Sequence, residues 1–170
     1  MKLPLASLVL LVLALFDELF ALWGVMDFTY QGFCFVPYLT FCGLYAIFYK
    51  WHWKDQLFIS AFVGLIYDFC FGGMFPVNFI LFPLLIGAIN VLRMFVRVDR
   101  VYRILLGCLA IFLLDAIPVL FSVSFKLLCI SLKTWFFNQA ILTVIVNGVL
   151  LLVIDTFVID YENTQLRKRA

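Results

Sequence analysis

Charged residues are scarce in this sequence: only 13% of the 170 residues are Asp, Glu, Lys or Arg, whereas 66% are hydrophobic. A soluble domain of this length needs a polar surface, and so few charged residues cannot supply one. The hydrophobic residues instead form six long runs, and about 20 apolar residues are enough for a helix to cross the hydrocarbon core of a bilayer. The composition therefore predicts an all-α, polytopic membrane protein, a bundle of six transmembrane helices.

Catalytic and metal-binding motifs are also lacking. The one histidine, His52, stands between two tryptophans, which is typical of an anchor at the membrane interface. The five cysteines show no C-x-x-C spacing, and most lie in apolar runs, which favours packing over disulfide or metal roles. No glycine-rich phosphate loop, G-x-S-x-G elbow or H-E-x-x-H motif is present. We therefore expect no enzyme activity and no cofactor, and the net charge of +2 does not indicate nucleic-acid binding.

Short breaks separate the six apolar runs. The break at 50–55 carries the aromatic and charged residues of a membrane interface, and Gly72 with Pro76 predicts a tight turn. A single transmembrane domain is expected over 1–160, followed by a short basic cytoplasmic tail at 161–170. The predicted spans are 3–23, 31–49, 57–72, 77–95, 103–121 and 136–159.

The basic residues are distributed unequally among these breaks. With six spans and a cytoplasmic N-terminus, ten of the twelve Lys and Arg residues lie on the cytoplasmic side, and only Lys126 and Lys133 lie outside. Cytoplasmic loops of membrane proteins carry an excess of Lys and Arg. The asymmetry therefore predicts that both termini are cytoplasmic, and it supports an even number of spans.

Polar residues within the apolar runs are candidates for functional or packing roles. In the third span, Gly64, Asp68 and Gly72 recur every four residues and share one helix face, where glycine permits close approach of another helix. The sixth span has a polar stripe at the same spacing, which we expect to face protein, whereas Leu151 is expected to face lipid. The stripe consists of Gln139, Thr143 and Asn147.

Four acidic residues fall in the outer half of the membrane in this topology: Asp17, Glu18, Asp68 and Asp115. They could line an outer cavity or partner groove, or each could bond to a polar or backbone group of a neighbouring helix. Two membrane aspartates also raise an aspartyl protease or an ion-coupled transporter as alternatives. The sequence lacks the Gly-x-Gly-Asp motif of such proteases and shows neither an inverted repeat nor paired broken helices. A non-catalytic assembly subunit is the interpretation we favour.

An ordered set of segments resembles a known family. The segments are Phe35-Val-Pro37, Gly64-Leu-Ile-Tyr-Asp68, Leu113-Leu-Asp115 and Val146-Asn-Gly148. Their order, in a chain of about this length, resembles MreD, the rod shape-determining membrane protein family of bacteria. The turn at 73–76 departs from the family, which more often has small residues and glycine there.

The resemblance implies a non-enzymatic subunit of the bacterial plasma membrane that acts in cell elongation, cell shape and peptidoglycan synthesis. It implies an MreC-like partner, the pair of RodA with a penicillin-binding protein, MreB, and membrane lipid. The family is also similar in fold to the S components of energy-coupling-factor transporters, which leaves small-solute uptake as the alternative function. The residues expected to carry the family motif or helix packing are Pro37, Gly64, Asp68, Gly72, Asp115, Gln139, Thr143 and Asn147.

Overall fold

The computed structural model of the chain describes residues 3–22, 33–48, 51–71, 77–95, 99–127 and 130–167. These residues are helical except in short connections, which confirms the predicted all-α class. The first five helices are α1 Leu3–Leu22, α2 Leu39–Phe48, α3 Trp53–Phe71, α4 Val77–Phe95 and α5 Arg100–Ser124. A sixth helical run, α6, consists of Leu132–Trp135, a π-helical turn Phe136–Ala140, and Ile141–Arg167.

Three of the described helices are long and apolar enough to cross a membrane: α4, α5 and the part of α6 over Leu132–Ile159. They contain 19, 25 and 28 residues. At about 1.5 Å per residue, each is comparable with or longer than a hydrocarbon core of about 30 Å. Helices suited to a membrane are thus present, as the composition predicts.

Successive helices run in opposite directions. Asp17, near the end of α1, contacts the first residue of α2, and Asp68, near the end of α3, contacts the start of α4. Arg100, at the start of α5, contacts Asp155 in the second half of α6. We call the end of the bundle where α1, α3 and α5 finish the acid end, because Asp17, Asp68 and Asp115 lie there. The opposite end is the basic end, which holds Lys54, Arg93, Arg100 and Arg103.

Apolar side chains cover the outside of the bundle as well as filling its core. Large apolar side chains are exposed along the long helices, for example Leu8 on α1, Phe58 on α3 and Phe157 on α6. Several polar side chains are buried among the apolar residues of the core, and this arrangement suits a lipid solvent, where polar groups need partners inside the protein. The buried polar residues are Asp17, Thr40, Gln56, Ser60, Asp68, Asp115, Ser122, Gln139, Thr143, Asn147 and Asp155.

The second predicted span is not a continuous helix. The prediction of a helix over 31–49 is wrong for residues 33–38, which are non-helical, and α2 begins only at Leu39. The carbonyl of Tyr38 accepts the first intrahelical bond of α2, from the Cys42 N–H at 2.9 Å. Pro37 is buried in this segment, and it delays the helix because proline disfavours a helical conformation in the residue before it.

Several helix ends also lie outside the predicted bounds. Helix α5 covers 100–124 rather than 103–121, and α6 begins at Leu132 instead of 136. At its other end α6 continues to Arg167, so the helix includes most of the predicted tail. Hydropathy marks the apolar part of a helix, whereas these helices continue into polar and aromatic residues beyond it.

Candidate functional site

Asp17 of α1 holds the first turn of α2. Its Oδ1 accepts a hydrogen bond from the Leu39 N–H at 2.9 Å. Its Oδ2 accepts two from Thr40, from the N–H at 2.9 Å and from the hydroxyl at 2.7 Å. The first N–H groups of a helix have no intrahelical partner and carry the positive end of the helix dipole, so a buried carboxylate is stabilised there.

Asp68 of α3 holds the first turn of α4 in the same way. Its Oδ1 accepts the Asn78 N–H of α4 at 2.9 Å, and its Oδ2 accepts the Phe79 N–H at 2.8 Å. Each carboxylate oxygen therefore satisfies one of the unpaired donors at the start of α4. We considered two hypotheses for these acids, an outer cavity or partner groove, and bonding to a neighbouring helix. The geometry of Asp17 and Asp68 matches the second, because both carboxylates bond to the backbone of the next helix.

Gly64 lies one helical turn before Asp68 and packs against the same start of α4. A Cβ placed on Gly64 would contact the Asn78 carbonyl oxygen, and it would lie 2.8 Å from the Asn78 carbonyl carbon and 3.1 Å from the Phe79 Cα. These are backbone atoms, which cannot rotate away, so the close approach requires glycine. Gly72, the third residue of this predicted face, lies outside the described residues.

Asp115 has a different environment from the other two aspartates. Its Oδ1 accepts the Gln139 amide N–H at 2.8 Å and a longer contact from the Tyr38 hydroxyl at 3.4 Å. Its Oδ2 and the Trp135 Nε1 are buried and have no hydrogen-bond partner among the described residues. Trp135 neighbours this carboxyl, but its indole N–H is not in hydrogen-bonding geometry. Asp115 thus joins α5 to α6 and to the 33–38 segment, without a helix N-terminus.

The polar stripe of α6 bonds to the backbone of the 33–38 segment. Asn147 accepts the Tyr38 N–H through Oδ1 at 2.7 Å and donates to the Val36 carbonyl through Nδ2 at 2.7 Å. Thr143 Oγ1 accepts the Val36 N–H at 3.1 Å. Non-helical backbone is tolerated at membrane depth only where the protein satisfies its polar groups. These two side chains do so for the residues on both sides of Pro37.

The π-helical turn of α6 provides one more bond to this segment. The Cys34 N–H donates to the Asn138 carbonyl at 3.1 Å. A π turn replaces the usual bonds to the fourth residue with bonds to the fifth, so the regular ladder is interrupted there. Gln139, in the same turn, accepts a weak bond from the Cys34 thiol at 3.5 Å through the amide oxygen while its amide N–H donates to Asp115.

The stripe on α6 is longer than predicted. Every fourth residue from Gln139 through Asp155 is buried, including Leu151, which is only 1% exposed. The expectation that Leu151 faces lipid is therefore wrong, because a Cβ on Gly107 of α5 would touch the Leu151 side chain. Four-residue spacing alone would have placed both Leu151 and Asp155 on this face.

Charge pairs join α5 and α6 at the basic end. Arg103 forms an ion pair with the buried Asp155, and Arg100 Nε lies 3.3 Å from the second oxygen of the same carboxylate. Arg100 also donates to the Thr156 hydroxyl at 2.7 Å. The two arginines differ in exposure, since the Arg100 side chain is 53% exposed and the Arg103 side chain 13%.

Amide side chains join α3 and α4 at the same end. The Asn90 amide donates to the Gln56 carbonyl oxygen at 2.6 Å, and Arg93 donates to the Asn90 oxygen at 3.1 Å. Each hairpin, α3–α4 and α5–α6, is therefore bonded at both of its ends. Among the described residues, no group of three His, Cys, Asp or Glu side chains could hold a metal ion.

Comparison with protein-family models, with curated proteins and with solved structures finds no match to this chain.

The sequence pattern places Gln139, Thr143, Asn147 and Asp115 in the right helices but does not identify their partners. For the three α6 residues, the partners in the 33–38 segment lie 105–111 residues away along the chain, and Tyr38 lies 77 residues from Asp115. No local pattern in either segment signals that pairing.

Proposed function

We propose that this chain is a non-enzymatic, multi-pass subunit of the bacterial plasma membrane that serves the cell-elongation machinery, in the manner of the MreD family it resembles. In this proposal the bundle docks the membrane span of an MreC-like partner. It acts with RodA and its penicillin-binding protein, and with MreB, on cell shape and peptidoglycan synthesis.

One observation carries the non-enzymatic part of this proposal: most of the described polar side chains inside the bundle bond one part of it to another. Asp17 and Asp68 are bonded to helix N-termini, and Asn147 and Thr143 are bonded to the 33–38 segment. The two aspartates of a proteolytic pair must share a proton and a water molecule. Asp68 and Asp115 are instead engaged by different groups, one by the start of α4 and the other by Gln139.

Six crossings with both termini in the cytoplasm are part of the proposal. Helices α1 and α3 contain 20 and 19 residues, which is the length of a span, and neighbouring helices alternate in direction. The 33–38 segment followed by the ten residues of α2 supplies the remaining crossing. The excess of Lys and Arg at the basic end assigns that end to the cytoplasm.

Small-solute uptake is the second candidate, and the broken second span favours it. Transporters place substrate sites where helices are interrupted near the middle of the membrane. Here the interruption lies beside Asp115, whose carboxylate retains an unpaired oxygen. Binding of a solute at this cluster would support uptake in place of scaffolding.

Shape rescue tests the proposed function directly. Expression of this chain in a rod-shaped bacterium depleted of its own MreD protein should restore rods, and a co-expressed MreC-like protein from the same source should co-purify with it. The double variant Asp68→Asn with Asp115→Asn should still rescue shape when it is present at normal level in the membrane. Round cells and no co-purification, despite normal insertion of the unaltered chain, would contradict the proposal.

A further inference from the structure

An open apolar groove of about 370 Å³ lies between α5 and α6, toward the acid end. Its lining includes Cys108 and Phe112 on α5, and Phe136, Ile141 and Ile145 on α6. Both helices are long and apolar enough to cross a membrane. A groove of this composition, opening sideways from two such helices, faces hydrocarbon and not water.

Two lysines lie beyond the groove lining, toward the acid end of the bundle. Lys133 is exposed and lies one helical turn before Phe136 on α6, and Lys126, also exposed, follows the last turn of α5. The sequence contains no acidic residue over 116–154, so no carboxylate of that stretch neutralises these two lysines. They are also the two cations that the predicted topology places outside, and so the positive-inside rule does not account for them.

The dimensions match one leaflet of a bilayer. From Lys133 to Ile145 the helix advances about 18 Å, at about 1.5 Å per residue. Half of a hydrocarbon core of about 30 Å is about 15 Å. A lipid whose headgroup lies at Lys133 would therefore extend its acyl chain along the groove to its far end.

We propose that this groove, with Lys133 at its mouth, is a binding site for one anionic phospholipid. The phosphate is bound by the Lys133 ammonium, with Lys126 adding to the local positive charge, and one acyl chain packs between α5 and α6. The inference depends only on the chain lying in a bilayer and does not rest on the proposed role in cell elongation.

Native mass spectrometry of the purified full-length protein tests this site, with phosphatidylglycerol and phosphatidylcholine as probes. One phosphatidylglycerol should be retained more tightly than phosphatidylcholine. Since a Lys near the membrane surface contributes about 1 kcal/mol to binding of anionic lipid, Lys133→Ala should weaken that binding about fivefold. Lys54→Ala, at the basic end, is the matched control and should leave this binding unchanged.

A second pair of variants tests the groove itself. Ile141→Trp should fill the groove and abolish retention of the bound lipid, whereas Val149→Trp, on the same helix outside the groove lining, should not. Ile141 is 39% exposed and Val149 is 56% exposed, so neither change disturbs the core. Equal retention of both lipids, or equal effects of the two Trp variants, would overturn the proposal and indicate only the general lipid shell. Lipid retention is read on purified protein, so this result is independent of shape rescue.

Discussion

The two ends of the bundle use polar residues in opposite ways. At the acid end, Asp17 and Asp68 are buried, and each accepts backbone N–H groups from the helix that follows. Neither is paired with a cation of the described residues. At the basic end, the buried Asp155 is paired with two arginines, one of them half-exposed.

This difference indicates what each end does. A carboxylate bonded to a helix N-terminus fixes how one helix meets the next, so the acid end determines the fold. In the proposed topology, the exposed Arg100 lies at the interface, where its positive charge favours the cytoplasmic side. We therefore expect large effects on stability from changes to the buried contacts of the acid end, and small effects from loss of an exposed side chain at the basic end.

The largest effect is expected at the contact between α3 and α4. Gly64→Leu should destabilise the protein by about 3 kcal/mol or more, because its side chain would press against the backbone of α4. Gly64→Ala should also destabilise it, whereas Gly87→Ala should be neutral or stabilising by up to about 1 kcal/mol, since its Cβ would only approach the Leu57 side chain at 3.4 Å. Thermal unfolding in detergent measures the stability of each variant. Equal stability of Gly64→Ala and Gly87→Ala would show that α3 and α4 do not approach closely at Gly64.

The next largest effect on stability is expected when the 33–38 segment loses its hydrogen bonds to α6. Asn147→Leu leaves the Tyr38 N–H and the Val36 carbonyl without their partner, at a cost of about 2–4 kcal/mol. Thr143→Val leaves only the Val36 N–H unpaired and should cost about 1–3 kcal/mol. Hydrogen exchange, measured beside unfolding, should rise at Tyr38 in Asn147→Leu and at Val36 in Thr143→Val. Unchanged protection at these two amides would contradict the assigned bonds.

A smaller effect is expected for Asp68→Asn. The amide keeps one acceptor oxygen but turns an N–H donor toward the second backbone donor of α4, so one bond is replaced by a mismatch that costs about 1–3 kcal/mol. The protein should still insert. Asp68→Asn stability indistinguishable from that of the unaltered chain would show that the carboxylate does not cap α4.

The smallest effect is expected at Arg100, the exposed arginine of the basic end. Arg100→Ala should change stability by about 1 kcal/mol or less, because exposed ion pairs contribute little. Arg103→Ala should lower stability more than Arg100→Ala, since Arg103 is largely buried beside Asp155. If Arg100→Ala destabilised the bundle as much as Gly64→Leu, the contrast between the two ends would fail.

The sequence predicts the helices of this fold well and its tertiary bonds poorly. Apolar runs mark where helices lie, and four-residue spacing marks which face of α6 is buried. The break before α2 was not predicted, because Phe33 to Tyr38 is as apolar as a helix in lipid. The side chains that permit this break, Thr143 and Asn147, lie more than 100 residues later.

The environments of the three membrane aspartates could not be predicted from the sequence either. Asp17, Asp68 and Asp115 occupy similar places late in α1, α3 and α5, so a shared outer cavity was a reasonable hypothesis from sequence. The structure gives Asp17 and Asp68 backbone donors of the next helix, while Asp115 has only side-chain donors. Which donors face each carboxylate depends on helix packing, which no local pattern contains.

Site-directed labelling most directly tests the central claim, that the bundle crosses the membrane with its acid and basic ends on opposite sides. With the native cysteines replaced, single cysteines at Lys54 and Arg100 report the basic end, and single cysteines at Lys126 and Lys133 report the acid end. All four positions are exposed. In intact cells an impermeant maleimide should label only 126 and 133, and 54, 100 and the terminal Ala170 should react only after permeabilisation. Labelling of both ends from one side, or of Ala170 from outside, would contradict the six-crossing account.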